Sequence, residues 1–126
     1  MDYPMPADLT HPVAIALRAA ALAYPQAYED FPWGDRVCKV KGKIFLFVSQ
    51  RDGKLAMGVK LPLSNAFALM LPGTAPTGYG LGKAGWVSAT FEAADEPPVE
   101  LLLSWIRESY CAVAPKTLSK ALVATS

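Results

Sequence analysis

The chain has 126 residues, the length of one domain, and its 13.5 kDa can form a hydrophobic core without disulfides or a structural metal. Hydrophobic residues make up 52% and charged residues 18%, which excludes an intrinsically disordered chain. The formal net charge of +1 argues against a generic nucleic-acid coat protein.

The charge is unevenly distributed along the chain. Seven of the twelve basic residues lie between residues 36 and 60, where Asp52 is the only acidic residue, so this window carries +6 and the rest of the chain −5. Such a segment would attract a polyanion. Lysines that keep strands soluble and block edge-to-edge pairing explain the same pattern, so both interpretations stay open.

The N-terminal part of the chain predicts a tail followed by a helix. We expect residues 1–9 to be a flexible tail and residues 10–126 a single domain. Thr10 is the candidate N-cap of a helix that reaches about Tyr24, with Pro12 tolerated in its first turn. The predicted buried stripe of this helix is Val13, Leu17, Ala20 and Tyr24.

The apolar run at residues 13–23 has some features of a signal peptide. Arg18 interrupts it, however, and Asp2 and Asp8 precede it where a signal peptide carries basic residues. The run is also too short to cross a bilayer. We therefore expect a cytoplasmic protein without a membrane segment, for which a monomer is plausible.

Three strands are predicted next, at about residues 36–40, 44–49 and 54–60. A three-residue turn at 41–43 and a four-residue turn at 50–53 would join them. This register pairs Val40 with Ile44 and Cys38 with Leu46, then Val48 with Leu55 and Leu46 with Met57. One face then carries the apolar set Cys38, Val40, Ile44, Leu46, Val48, Leu55, Met57 and Val59.

The opposite face of this predicted sheet would carry Phe45 and Phe47 among lysines. Aromatic rings among basic side chains suit base stacking combined with phosphate attraction. A strand that is apolar on both faces is also typical of burial under a second core layer, so this alternative stays open.

The C-terminal half adds helices and one strand. A short helix should begin at Pro62 and bury Phe67 and Met70, before a glycine- and proline-rich loop at residues 74–85. A fourth strand is predicted at residues 86–92.

Two helices are predicted to follow that strand. Asp95 can cap the first, at about residues 97–113, and Lys116 and Lys120 lie on the last. The predicted buried stripe of the longer helix is Leu102, Ile106, Tyr110 and Val113. The order of elements predicts an α+β fold, an antiparallel sheet with helices packed on one face.

No catalytic, metal or cofactor site is visible in the sequence. His11 is the only histidine, so any nucleophile–base pair that used imidazole would have to form around it. Cys38 and Cys111 have neither zinc-site nor redox-pair spacing. The glycines between residues 73 and 85 lack the arrangement of a phosphate-binding loop. We therefore expect a non-enzymatic protein without a cofactor.

Several short motifs occur in a particular order. Residues 29–34 read EDFPWG and residues 39–45 read KVKGKIF; the run PTGY at 76–79 then precedes Lys83 and Trp86. Ser109-Tyr110 follows near the C terminus, ahead of Lys116 and Lys120. In order and spacing these motifs resemble the MmcQ/YjbR family over about residues 10–122. Gly80 stands where that family usually has histidine.

The resemblance implies a CyaY-like fold and DNA binding through a double-wing arrangement. The likeness to frataxin also raises iron binding, but the predicted helix from His11 to Tyr24 has no acidic residue to supply carboxylate ligands. Fold analogy alone does not transfer function. We thus expect no metal site.

The leading hypothesis is weak, salt-dependent DNA binding through a basic β-hairpin face. The predicted phosphate contacts are Lys39, Lys41, Lys43, Arg51, Lys54, Lys60 and Lys83, and Lys116 and Lys120 are further candidates. The alternative is a module that binds a small anionic molecule or a protein in a cleft between the Phe31–Asp35 loop and the glycine-rich loop. That cleft would be lined by Trp33, Tyr79, Lys83 and Trp86, although plain packing explains these aromatic residues equally well.

Overall fold

The computed structural model describes residues 4–78 and 80–124, except for the side chains of Val123 and Ala124. Within these residues the elements in chain order are α1 (Pro12–Leu22), β1 (Tyr28–Asp30), β2 (Val37–Val40), β3 (Lys43–Arg51), β4 (Lys54–Lys60), α2 (Asn65–Ala68), β5 (Thr74–Pro76), β6 (Trp86–Phe91), α3 (Val99–Val113) and α4 (Lys116–Ala124). Short 3-10 helices occupy Pro32–Gly34 and Leu81–Ala84. The strands form one antiparallel sheet in the order β1-β2-β3-β4-β6-β5.

The helices pack on one side of this sheet, which confirms the predicted α+β architecture. The buried apolar side chains of α1, α2 and α3 join alternate residues of the strands in a single core, and α4 adds Leu118 and Leu122 to its edge. We call this side the covered face. The other side, the open face, is defined by the register to carry Tyr28, Asp30, Val37, Lys39, Ile44, Phe47, Ser49, Arg51, Lys54, Ala56, Gly58, Lys60, Trp86, Ser88 and Thr90.

Both hairpin turns are shorter than the sequence predicted. Lys41 and Gly42, and likewise Asp52 and Gly53, have positive φ at both central positions, the geometry of two-residue type I′ turns. Val40 therefore pairs with Lys43 instead of Ile44. In the second hairpin Val48 pairs with Met57, not Leu55. The observed register is shifted by two residues from the predicted one. Because side chains alternate between the faces with a period of two, the same residues of β4 still face the core.

A β-bulge in β3 corrects the predicted position of two side chains. Cys38 pairs with Leu46 as predicted, but Lys39 pairs with Ile44, which leaves Phe45 as an extra residue without a partner on β2. Phe45 consequently joins Leu46 in the core on the covered face. Ile44 moves to the open face beside Lys39. The predicted exposed pair of phenylalanines is thus wrong for Phe45.

Helix α3 completes the backbone hydrogen bonding at this bulge. The Ser109 hydroxyl donates to the Phe45 carbonyl (2.6 Å) and accepts from the Lys60 amide (2.8 Å). The next residue, Tyr110, stacks on Tyr24 with 4.7 Å between ring centroids and donates to the Pro25 carbonyl (2.8 Å). The Ser-Tyr motif therefore joins α3 to both the sheet and the end of α1. Burial of Leu102, Ile106 and Tyr110 confirms most of the stripe predicted for α3.

The start of α1 differs from its prediction. His11 is the N-cap, because its Nδ1 accepts from the Val13 amide (3.1 Å). Thr10 instead accepts from the Gln50 side-chain amide (2.6 Å) and donates its own amide to the Gln50 Oε1 (2.7 Å). These contacts tie the start of α1 to β3. Within the predicted tail, the carbonyl of Ala7 accepts from Arg36 (3.1 Å).

Three other expectations are corrected. Strands β1 and β5 were not predicted, because three-residue strands show too little alternation and β5 ends in a proline, which an edge strand tolerates. Helix α2 is only four residues long and buries Ala68, whereas Phe67 and Met70 are exposed. Helix α3 begins at Val99, and Asp95 accepts from the Glu92 amide (2.7 Å) instead of capping it.

Candidate functional site

Some basic side chains of the open face form ion pairs, and others do not. Lys39 forms an ion pair with Asp30 (2.7 Å), and Lys54 forms a longer one with Glu92 (3.4 Å). Arg51 and Lys60 make no ion pair with any residue that the structure describes. The face therefore keeps uncompensated positive charge, although part of the basic character seen in the sequence is neutralised locally.

The seven predicted phosphate contacts are divided between the two ends of the sheet. Lys39, Lys41, Lys43 and Lys60 lie at the end formed by the β2–β3 turn, and Arg51 and Lys54 lie at the β3–β4 turn. At about 3.3 Å per strand residue, the eight steps from Lys43 to Arg51 span roughly 25 Å. Lys83 lies in the 3-10 helix that precedes Gly85. The Gly85 carbonyl accepts from the amide of Leu61, the residue after Lys60 (2.9 Å). Lys83 is therefore near the end of the sheet formed by the β2–β3 turn.

The Lys39–Asp30 pair is electrostatically stable at neutral pH. The hydrogen bond to Asp30 raises the pKa of Lys39, and the same bond lowers the pKa of Asp30. Both groups therefore remain charged. A phosphate that approached Lys39 would have to compete with the Asp30 carboxylate.

Tyr28 is a candidate binding residue that sequence reasoning missed. It lies on the open face directly opposite Lys39, and 43% of its surface is exposed. An exposed ring beside an ammonium group suits base stacking next to a phosphate. The available signal was the Tyr-Glu-Asp run before the Phe-Pro-Trp-Gly loop, but β1 is too short for its alternation to identify it as a strand.

The aromatic residues proposed for the alternative cleft are placed differently from one another. Trp33 is 72% exposed in the 3-10 helix between β1 and β2, whereas Trp86 is almost buried and meets the edge of Phe47 at 5.6 Å between centroids. Strands β3 and β4 separate β2 from β6 in the sheet. Lys83 is exposed in the 3-10 helix near Trp86. Tyr79 lies outside the described residues.

A carboxylate with two guanidinium partners anchors β1, the strand that presents Tyr28 and Asp30. Glu29 accepts from Arg18 of α1 (3.0 Å from Nη2) and from Arg36 Nη1 (3.0 Å). The hydrogen bond from Arg18 is the main reason why the pKa of Glu29 is lowered, with Arg36 adding to the effect. Phe31 lies over the Arg36 guanidinium at 5.2 Å from its ring centroid. These contacts fix β1 to both α1 and β2.

His11 and Cys38 both occupy structural positions. The ring of His11 caps α1. Cys38 is fully buried, and burial raises the pKa of its thiol to about 12, so it is protonated at neutral pH. In the part of the chain that the structure describes, no three His, Cys, Asp or Glu side chains come together to hold a metal. None of the described helices is long and apolar enough to cross a membrane.

These features define a small α+β domain whose six-stranded sheet has helices on one side and a partly basic surface on the other. The model of the YjbR family matches residues 22–112, and the chain belongs to that family. This confirms the resemblance found in the sequence. Among curated proteins, none matches.

A solved structure agrees with this assignment. The crystal structure of the Deinococcus radiodurans protein DR2400, described as a DUF419 domain, is 26% identical in sequence to this chain. The TM-score is 0.68, and the match covers 90% of this chain and 92% of the Deinococcus protein. The similarity therefore extends over nearly the whole of both chains.

Proposed function

We propose that this domain is a non-enzymatic, nucleic-acid-binding protein that holds the phosphate backbone against its open face. The observation that carries the proposal is the uncompensated positive charge at the end formed by the β2–β3 turn. Lys41, Lys43 and Lys60 lie there without an ion pair among the described residues. Membership of the YjbR family, whose resemblance implies DNA binding, supports the same function.

The dimensions of the open face suit a short stretch of backbone. The roughly 25 Å between Lys43 and Arg51 equals about seven base-pair steps of 3.4 Å along the axis of B-DNA. Basic groups at both ends can therefore contact phosphates several nucleotides apart. Phosphate contacts fix the position of the nucleic acid but carry little sequence information. We expect weak sequence preference.

Two carboxylates that pair with lysines of the open face should keep the affinity low. Asp30 holds Lys39, and Glu92 holds Lys54, so these two lysines contribute less than their number in the sequence suggests. Lys43 pairs with the core residue Val40 and is not among the residues of the open face. Binding should then depend mainly on Lys41, Lys60 and Arg51. Because counterion release dominates such contacts, we expect affinity to fall steeply as salt rises.

Fluorescence anisotropy with labelled duplex and single-stranded DNA tests the proposal. Two double variants are compared. The test variant is Lys41→Glu/Lys60→Glu. The control is Lys116→Glu/Lys120→Glu on α4, a helix that packs with the helices of the covered face. We expect the first pair to abolish binding and the second to weaken it only through net charge. Unfolding curves of both variants check that each is folded.

Two results would contradict the proposal. The absence of saturable binding at low salt would rule out a nucleic-acid function. An equal loss in the two double variants would show that net charge matters and the open face does not. If DNA binding is absent, the alternative is a module that binds a small anionic molecule or a protein. Trp33 and Lys83 are both exposed, but they precede β2 and β6, which β3 and β4 separate, so each would have to act in a site of its own.

A further inference from the structure

A pocket lies between the N-terminal half of α3 and the edge of the sheet formed by β5 and β6. Its volume is about 420 Å³, within the range of small-molecule sites in proteins. Leu71, Phe91, Leu101 and Trp105 form its apolar wall, and Asp95 and Glu96 supply carboxylates at its rim. Nothing in the proposed nucleic-acid function uses this pocket.

The charge of the pocket decides which ligands it can accept. No basic side chain lines it, whereas Asp95 and Glu96 both do, and both are exposed. The start of α3 contributes a partial positive charge of about half a unit, which is smaller than the two negative charges of the carboxylates. The local field therefore favours a cation, and a polyanion such as DNA is repelled.

Trp105 adds an apolar surface to the pocket. It is almost fully buried, yet it lines the pocket. The apolar body of a ligand could therefore pack against this side chain. Leu101 and Phe91 beside it suit an apolar body attached to the charged group.

We propose that this pocket binds a small organic cation, an ammonium group carried on an aromatic or alkyl body. The ammonium would lie between Asp95 and Glu96, and the apolar body would contact Leu101, Phe91 and Trp105. Thr90 is the one lining residue that also belongs to the open face, and none of the basic residues of that face lines the pocket, so binding there does not depend on the nucleic-acid proposal.

Nuclear magnetic resonance titration of the isotope-labelled full chain tests this site with three probes of similar shape. The probes are 2-phenylethylammonium, neutral 2-phenylethanol and anionic 3-phenylpropanoate. We expect saturable shifts at the Trp105 indole and at residues 90–101, with the ammonium bound roughly fivefold or more tightly than the alcohol and the carboxylate bound weakest.

Two variants, each of which replaces one carboxylate by a neutral amide, sharpen the test. Glu96→Gln should weaken ammonium binding roughly two- to fivefold and leave the alcohol unaffected, because an exposed ion pair is modest in strength. Glu100→Gln is the matched control, since Glu100 is an exposed carboxylate in the first turn of α3 that does not line the pocket. Equal affinity for the three probes, equal effects of the two variants, or no saturable shift at millimolar probe would each overturn the proposal.

Discussion

The two faces of the sheet use their polar groups in different ways. On the covered face, Ser109 and Tyr110 donate to backbone carbonyls, and Glu29 accepts from two arginines. On the open face, Arg51 and Lys60 make no ion pair with any described residue. A polar residue of the covered face is therefore expected to matter for stability, and one of the open face for binding.

The largest expected effect is on the covered side, at Glu29. Replacing it in Glu29→Gln removes the charge that neutralises Arg18 and Arg36, and Arg36 is only 8% exposed. Breaking a largely buried pair by removing one partner costs about 3 kcal/mol. Urea unfolding should show this loss, while Glu100→Gln, an exposed carboxylate, should change stability little. A loss below about 0.5 kcal/mol in Glu29→Gln would contradict the anchoring role.

The same carboxylate predicts a dependence of stability on pH. Its pKa is lower in the folded chain than its ordinary value of 4.5, mainly because of the hydrogen bond from Arg18. The stabilisation is therefore fully present above pH 4.5 and is lost as the pH falls through the folded-state pKa. Unfolding measured across this acidic range should lose less stability in Glu29→Gln than in the wild type. Parallel curves would show that another group titrates.

The next effect in size is at Ser109. Ser109→Ala leaves the Phe45 carbonyl and the Lys60 amide without their hydroxyl partner at the bulge, which we expect to cost about 2 kcal/mol. The matched control is Ser104→Ala on the same helix, where the hydroxyl is exposed and bonds only to the carbonyl of its own turn. Denaturant curves that shift equally for both variants would contradict the bridging role.

The smallest effect on stability, and the most informative for binding, is expected at Asp30. Asp30→Asn frees Lys39 and removes a negative charge from the open face, yet the amide oxygen can still accept from the Phe31 amide. We expect DNA affinity to rise about three- to tenfold, and stability to change by less than about 1 kcal/mol. Glu100→Gln makes the same change in net charge elsewhere, and an equal gain in that variant would contradict a local effect.

Long or regular elements of the fold could be predicted from the sequence. Strand β4 has the predicted bounds, and the stripe of α3 follows the 3.6-residue period. The bulge could not be predicted, because the run Ile44-Phe45-Leu46-Phe47 is apolar throughout and its alternation gives no warning of an extra residue. The sequence predicts both turns as longer than the two residues they have, although Gly42 and Gly53 indicate their positions correctly.

The basic residues of the candidate site could be predicted from the sequence, but the ion pairs that some of them form could not. The sequence singles out the lysines between residues 36 and 60, yet it cannot show that Asp30 pairs with Lys39, because that contact depends on the short strand β1. For the same reason Tyr28 was missed. Pairing between distant residues, such as Lys54 with Glu92, is decided by the order of strands in the sheet.

The most direct test of the division between the two faces is to map DNA contacts on the isotope-labelled protein by nuclear magnetic resonance. A short DNA strand is added at low salt, and amide shifts are followed residue by residue. The account predicts that shifts concentrate at Tyr28, Lys39, Lys41 and Lys60 and at their neighbours on the open face, while α1 and α3 remain unchanged. Shifts centred on the helices, with the open face unaffected, would contradict it.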